Sequence, residues 1–428
     1  MREAQGNRVS NRIMNRHHPL IIVAVLTVVN ILNYLDRNLV QAVRPAIDAS
    51  WHLSQLQSGF FVSAFVIGYA LFSPVAGILA HQSNRPRLLT AGLCLWSICT
   101  VATGVAPGPA PFVAARIGVG IGEALFVTVA ATYLRDLLVD PIRITRAFSL
   151  FYAAIPVGSA LGYVVGGWVA NRASWQAAFY VGAVPGFLLA PVVALLPNLP
   201  NDCQSRSSKD STDDQGMSNR LGPIKEVLRS RAAVGIIAGY VANTFALAGV
   251  AANVSSHGTS LGYTLEQIGV LFGGTLVIAG FLGTIGGGWL CSFLARAALS
   301  REVVMLRFCA VTALVGAPLL VVGFETSSRE LFITLCFFAE LFIFAGTAPI
   351  NSLLVTVVPP HLVGAAQGLC IASINILGSF LAPIVVGFVA DTVSLRWGLH
   401  LCAVALVLSG VGWWATSQRA TFGEDRIV

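Results

Sequence analysis

Two short stretches carry most of the chemistry that this chain sets into otherwise apolar sequence. Asn33-Tyr-Leu-Asp-Arg37 interrupts a run of Ile, Val, Leu and Ala, and Arg116-Ile-Gly-Val-Gly-Ile-Gly-Glu123 interrupts another. A third isolated acid, Glu340, stands within FFAELFIFA. A charge at the centre of a bilayer costs roughly 3 kcal/mol on insertion scales, so each of these needs a partner or water. Arg116 and Glu123 are two helical turns apart and share a helix face; Asn33 and Arg37 also share one, with Asp36 beside it. A carboxylate drawn out of water holds a proton more readily, and a nearby guanidinium opposes that. Asp36 and Glu123 are therefore the candidates for binding and releasing a proton, with Arg37 and Arg116 as ion-pair partners or anion sites. The plain alternative is a satisfied buried network that only orients helices. Glu340 has no evident partner, so burial as the neutral acid is as well supported as substrate contact.

The elements that must position these groups are transmembrane helices. Of the 428 residues, 56% are hydrophobic and 11% charged, more apolar surface than one soluble core can hide. Twelve apolar runs are long enough to cross roughly 30 Å of hydrocarbon as helices: 19–43, 53–80, 87–106, 110–138, 144–170, 174–197, 232–256, 265–295, 303–323, 331–358, 362–390 and 395–417. The first is too long for a signal peptide and is followed by eleven more. Counting basic residues in the connections puts both termini in the cytoplasm, leaving Arg44, Arg172, Arg329 and Arg396 on the opposite side. The net charge of +7 then reports topology and anionic headgroups, with no call for nucleic acid. The cysteines read as small core hydrophobes, and nothing in the sequence requires a cofactor or metal.

A polar, Ser- and Asp-rich break divides the spans six and six. The expected organisation is a cytoplasmic N-terminus over 1–18, a six-helix bundle over 19–197, a mobile cytoplasmic linker over 198–231, a second bundle over 232–417 and a cytoplasmic C-terminus over 418–428. The halves resemble one another: Leu53-Ser-Gln-Leu56 matches Leu265-Glu-Gln-Ile268, with Phe60 against Phe272 and Gly68 against Gly280. Such similarity is what a parallel repeat leaves. The fold expected is all-α, with two six-helix bundles related by a pseudo-two-fold axis along the membrane normal and facing a central cavity where the acids and bases converge. Glycines at 118, 120 and 122, at 158, 162, 166 and 167, and at 283, 286, 287 and 288 suit close helix packing. The polar positions of the second half are uncharged, among them Asn243, Asn351 and Asn375. A charged half facing a hydrogen-bonding and apolar half suits an amphipathic substrate.

Three stretches resemble the major facilitator superfamily, and within it the Spinster-like branch: Asn33-Tyr-Leu-Asp-Arg37, Ala115-Arg-Ile-Gly-Val-Gly-Ile-Gly-Glu-Ala124 and Ser149-Leu-Phe-Tyr-Ala-Ala-Ile-Pro-Val-Gly-Ser-Ala-Leu-Gly-Tyr163. The resemblance implies a secondary transporter working by alternating access, driven by protons or another cation, with lysophospholipid or sphingoid substrates. It maps the membrane acid-base residues onto Asp36, Arg37 and Glu123, and adds Tyr34 and Tyr152 as substrate or ion-pair candidates. The superfamily's G-x-L-x-D-R-x-x-R-[KR] signature is altered to Gly77-Ile-Leu-Ala-His-Gln-Ser-Asn-Arg-Pro-Arg87. His81 takes the acidic position, leaving Arg85 or Arg87 to meet Asp136 or the end of span eleven near Asp391; Arg146 completes the gating candidates. Protonation of Asp36 is expected to weaken its attraction to Arg37. The partners implied are an amphipathic or lipid substrate, protons and membrane lipids, the protein acting as a monomer in a bacterial inner membrane. A transporter of small organic anions or drug-like compounds is the alternative. A static scaffold gains little from buried charge, and no HExxH, GxSxG or phosphate loop suggests an enzyme.

Overall fold

The computed structural model describes residues 19–82, 84–138, 141–198, 222–296, 298 and 300–419. Most of the expected linker, the expected N-terminal segment and all but 418–419 of the expected C-terminal segment lie outside the described residues. Twelve helices among those residues are long and apolar enough to cross a membrane. They are α1 (Pro19–Trp51), α2 (Gln55–Gln82), α3 (Arg85–Val105), α4 (Pro109–Leu137), α5 (Pro141–Arg172), α6 (Trp175–Ala194), α7 (Arg231–Ser260), α8 (Leu265–Arg296), α9 (Arg301–Glu325), α10 (Arg329–Val357), α11 (Val363–Thr392) and α12 (Leu395–Arg419). A short helix, Gly222–Arg229, precedes α7.

The helix starts carry the caps expected of backbone N–H groups that lack an intrahelical acceptor. Asn84, Ser174, Ser230 and Ser328 accept from the backbone of α3, α6, α7 and α10. Ser54 with Gln57 and Thr264 with Gln267 form reciprocal capping boxes at the starts of α2 and α8. The boxes pair position 54 with 264, two residues off the register in which Leu53 matches Leu265.

Two helices depart from regularity. Helix α10 breaks at Gly346, whose carbonyl accepts from Cys309 Sγ at 3.6 Å. Helix α11 passes through a π-helical stretch, Ile374–Phe380, that holds Asn375. Helix α1 outruns its apolar core: the expected span ends at residue 43, but the helix continues through Pro45 to Trp51. Arg44, expected in an outer connection, is therefore a helical residue, 1% exposed.

The described residues divide into two compact units, Met1–Val40 with Ala64–Thr212 and Gln41–Ser63 with Asp213–Val428. The division passes through α1 and α2. In the first unit Trp96, Phe126, Tyr133 and Phe151 lie in a buried core shared by α1 to α6. Backbones meet where a Cβ would not fit: Gly68 abuts Ile117 and Gly120 abuts Phe65, locking α2 against α4. Gly158 and Gly162 of α5 do the same against Ile31 and Leu35 of α1. In the second unit Trp413 Nε1 donates to the Ile236 carbonyl and Ser409 to that of Gly239, tying α12 to α7.

Candidate functional site

In the first unit, close packing of α1, α2 and α4 brings the four intramembrane charges into one cluster, paired crosswise. Arg37 Nε donates to Glu123 Oε2 at 2.5 Å. Arg116 Nη1 reaches Asp36 Oδ2 at 3.5 Å. The expected attraction between Asp36 and its neighbour Arg37 is corrected accordingly: adjacent helical residues point about 100° apart, so each turns to a partner on α4.

The two pairs are not equivalent. Asp36 and Arg116 are sealed, at 1% and 0% exposure. Glu123 is also fully buried, but Arg37 keeps 15% of its side chain exposed. Three aromatic faces surround that guanidinium, with Cζ 4.9 Å from the Tyr34 ring centroid, 4.7 Å from Tyr69 and 5.2 Å from Phe65. Phe65 also lies 5.7 Å from Arg116 Cζ. Ring faces stabilise a desolvated cation without accepting all of its N–H groups, and Arg37 Nη2 is buried with no hydrogen-bond partner. Asp36 Oδ1, Glu123 Oε1, Arg116 Nε and Nη2, and both polar atoms of Asn33 share that condition.

Around it, Asn38 donates to the Tyr34 carbonyl at 2.8 Å and to Ser159 Oγ at 3.0 Å, and Asn30 to the Phe151 carbonyl, fixing α1 against α5. Tyr152 is 47% exposed and packs on Phe148 and Phe151; it touches none of the four charges through a hydrogen bond. Phe65 and Tyr69 escaped the sequence reading, although their i, i+4 spacing marks one helix face. The other omission is Arg44.

At the Trp51 end of α1, in the second unit, Arg44 Nε donates to Ser58 Oγ at 2.5 Å. Its Nη1 donates to the Ala252 carbonyl at 2.9 Å and Asn253 Oδ1 at 2.5 Å, and its Nη2 to Gln55 Oε1 at 2.9 Å. Asp48 Oδ2 stands 3.5 Å from Nε. Asp391 Oδ1 and Oδ2 accept from the Gln55 and Leu56 backbone at 2.7 and 2.8 Å, capping α2. Asp391 thus serves the Gln55 end of α2, the end opposite Arg85; of the two partners expected for Arg85 or Arg87, the one near Asp391 is overturned and Asp136 is the one that Arg85 meets. The cause is connectivity, since α11 ends where α2 begins.

Arg85 pairs with Asp136 at 2.6 Å. Arg87 and Arg146 are exposed, and the His81 side chain lies outside the described residues. A Cβ on Gly77 would meet nothing within 4 Å, so packing does not require glycine there.

In the second unit Glu340 is 2% exposed. Its polar neighbour Thr275 donates instead to the Phe272 carbonyl at 2.8 Å, and neither Glu340 oxygen has a hydrogen-bond partner. Asn351 donates to Tyr240 Oη at 3.1 Å and the Thr347 carbonyl at 2.8 Å, Asn375 donates back to Ile371, and Asn243 is buried. Asn351 and Asn375 thus spend an amide N–H on their own helices. Among the described residues no group of three or more His, Cys, Asp or Glu is placed to hold a metal.

Comparison with known proteins agrees with this architecture. A profile described as Major Facilitator Superfamily matches residues 26–376. The chain is 28% identical over 421 residues to a probable sphingolipid transporter, spinster homolog 2 of Arabidopsis thaliana, covering 91% of this chain and 84% of that protein. It is also 28% identical to protein spinster homolog 1 of Homo sapiens, covering 93% and 80%. Among solved structures, a bacterial homologue of the human lysosomal transporter Spinster, in an inward-facing and unoccupied conformation, superposes with a TM-score of 0.81 at 18% identity, covering 96% of this chain and 98% of that one.

Proposed function

The chain belongs to the Major Facilitator Superfamily and is a transporter of the Spinster type, not an enzyme, and from that premise we propose that it moves a lysophospholipid or sphingoid-type amphipath by proton-coupled alternating access. The observation that carries the proposal is the crossed pairing of Asp36 with Arg116 and Arg37 with Glu123. Two acids and two bases in a low-dielectric setting are balanced as pairs. A proton delivered to Glu123 leaves Arg37 with excess charge, and the Arg37 guanidinium is the partly exposed member that can then turn to an anionic headgroup. Tyr34, Tyr69 and Phe65 provide apolar surface beside that headgroup. The relatives named as sphingolipid transporters support the lipid assignment.

The protein acts as a monomer in the cell membrane, with both termini on the cytoplasmic side where most of its arginines fall. That orientation makes the Trp51 end of α1 outer, and the Arg85–Asp136 pair inner.

Reconstituted vesicles test the proposal directly. Lysolipid uptake is expected to rise at least tenfold when a pH gradient is imposed, and Glu123→Gln and Asp36→Asn are each expected to abolish that increment while eluting as folded protein in detergent. Full gradient-driven uptake by both variants overturns the coupling. Uptake of a small organic anion instead of the lysolipid, with Arg37→Ala abolishing it, transfers the same mechanism to the other cargo.

A further inference from the structure

Helices α1 and α2 each change allegiance part-way along. Their inner portions, up to Val40 and from Ala64, belong to the first compact unit, while Gln41–Ser63 belongs to the second. The fasteners in that short segment are concentrated on one residue. Arg44, 1% exposed, bonds Ser58 and Gln55 of α2 and, through one nitrogen, both the Ala252 carbonyl and the Asn253 side chain of α7. Asp391 of α11 holds the first two amides of α2. Just below, Gly59 runs against the Pro383 backbone and Gly387 against that of Gln55, approaches that only a missing Cβ permits. A smooth glycine contact has little to hold it once the polar bonds are released. The guanidinium does the holding, because its planar fork can satisfy acceptors on two helices at once.

Two features connect this knot to the proton site. Arg44 is seven residues from Arg37, two turns along the same face of α1, or roughly 10 Å, so a rotation or tilt of α1 at Arg37 is delivered to Arg44. Pro45, next to it, cannot donate to the carbonyl of Gln41, and the helix loses a rung where α1 passes from one unit to the other.

We infer that Arg44 is the positioning residue of the outer gate: it pins the outer ends of α1 and α2 to α7 and must release Ala252 and Asn253 before the protein opens to the outer face. The inference rests on the transport reading for its purpose. Its test does not depend on cargo.

Hydrogen exchange on the full chain in lipid nanodiscs, without substrate, reads the gate. Arg44→Ala is expected to speed amide exchange at least tenfold in residues 48–60 and 250–262, leaving the inner ends of α2 and α4 unchanged. Arg44→Lys, which keeps the charge and loses the fork, is expected to follow it. Asn253→Ala removes one of the acceptors of Arg44, together with its own bond to the Gly249 carbonyl, and is expected to give a smaller, threefold or greater, rise in the same two segments. It decides the matter if Arg44→Ala loses protection everywhere. Glu123→Gln is expected to change outer exchange at least threefold in the parent and not in Arg44→Lys, a dependence that a merely structural arginine does not produce. Unaltered exchange in both outer segments in Asn253→Ala, or additive effects of Glu123→Gln and Arg44→Lys, overturns the inference. A gate that opens as expected in a protein that carries no lysolipid leaves the gate standing and removes the cargo.

Discussion

The two units bury acids in opposite ways. In the first, Asp36 and Glu123 are each met by a guanidinium from another helix; in the second, Glu340 is equally buried and neither oxygen is bonded. A carboxylate that must change its charge during a cycle needs a counter-ion for one of its states, and the first unit supplies two. An acid with no counter-ion and no donor is tolerated only uncharged, since an isolated ion in low dielectric is far more costly than a neutral carboxyl group. Under the proposed mechanism, the difference assigns coupling to the first unit and leaves Glu340 as an uncharged acid.

The strongest way to break that contrast is to make the first unit resemble the second. Arg116→Ala leaves Asp36 sealed without its partner, and removal of one member of a buried pair costs about 3–5 kcal/mol. The expected result is a large fall in the thermal midpoint in detergent. Arg116→Ala combined with Asp36→Asn is expected to recover most of it, because an amide in place of the orphaned carboxylate no longer requires a cation. No recovery in the double variant means that Arg116 acts through packing against Phe65, and the pairing argument loses its energetic basis.

Much of this was legible in the residues themselves. The twelve apolar runs locate the helices, because length and hydropathy suffice where every backbone group must bond within its own segment. The identity of the charged cluster was also legible from rarity: few ionisable residues stand inside those runs. Pairing was not, since α4 is seated on α2 through Gly120 and Phe65, and α5 on α1 through Gly158 and Ile31, contacts that spacing alone does not specify. Arg44 was hidden for another reason. The expected span closes at Val43, just before this arginine, whereas α1 continues two turns beyond and spends the guanidinium on acceptors more than 200 positions away in sequence. The π-helical turn around Asn375 had no local signal at all.

A smaller effect is expected at the Arg85 end of α3. Arg85 is 1% exposed and bonds Asp136 at 2.6 Å, while Asp136 keeps a second, exposed partner in Arg135 at 3.1 Å. Because Asp136 is partly exposed and retains Arg135, Arg85→Ala is expected to cost roughly 2 kcal/mol, the range for a hydrogen bond to a charged group. Asp136→Asn is expected to cost about as much, and the double variant little more than either, as a double-mutant cycle in thermal unfolding reads it. Strict additivity separates the two residues and leaves this end of α3 held by its cap at Asn84 instead.

The smallest expected effect sharpens the comparison most. Glu340→Gln exchanges a carboxyl group for an amide of nearly the same shape. If Glu340 is an uncharged acid, the exchange removes no ion and no observed hydrogen bond, and stability is expected to shift by less than about 1 kcal/mol. If the residue carries a charge, the same substitution removes an unpaired buried ion and stabilises the protein by several kcal/mol, which thermal unfolding in detergent resolves easily. The transport readout runs in parallel: gradient-driven uptake persists in Glu340→Gln and is lost in Glu123→Gln. Loss of gradient coupling in both places a working acid in each unit, and the asymmetry between paired and unpaired carboxylates ceases to mark where the proton acts.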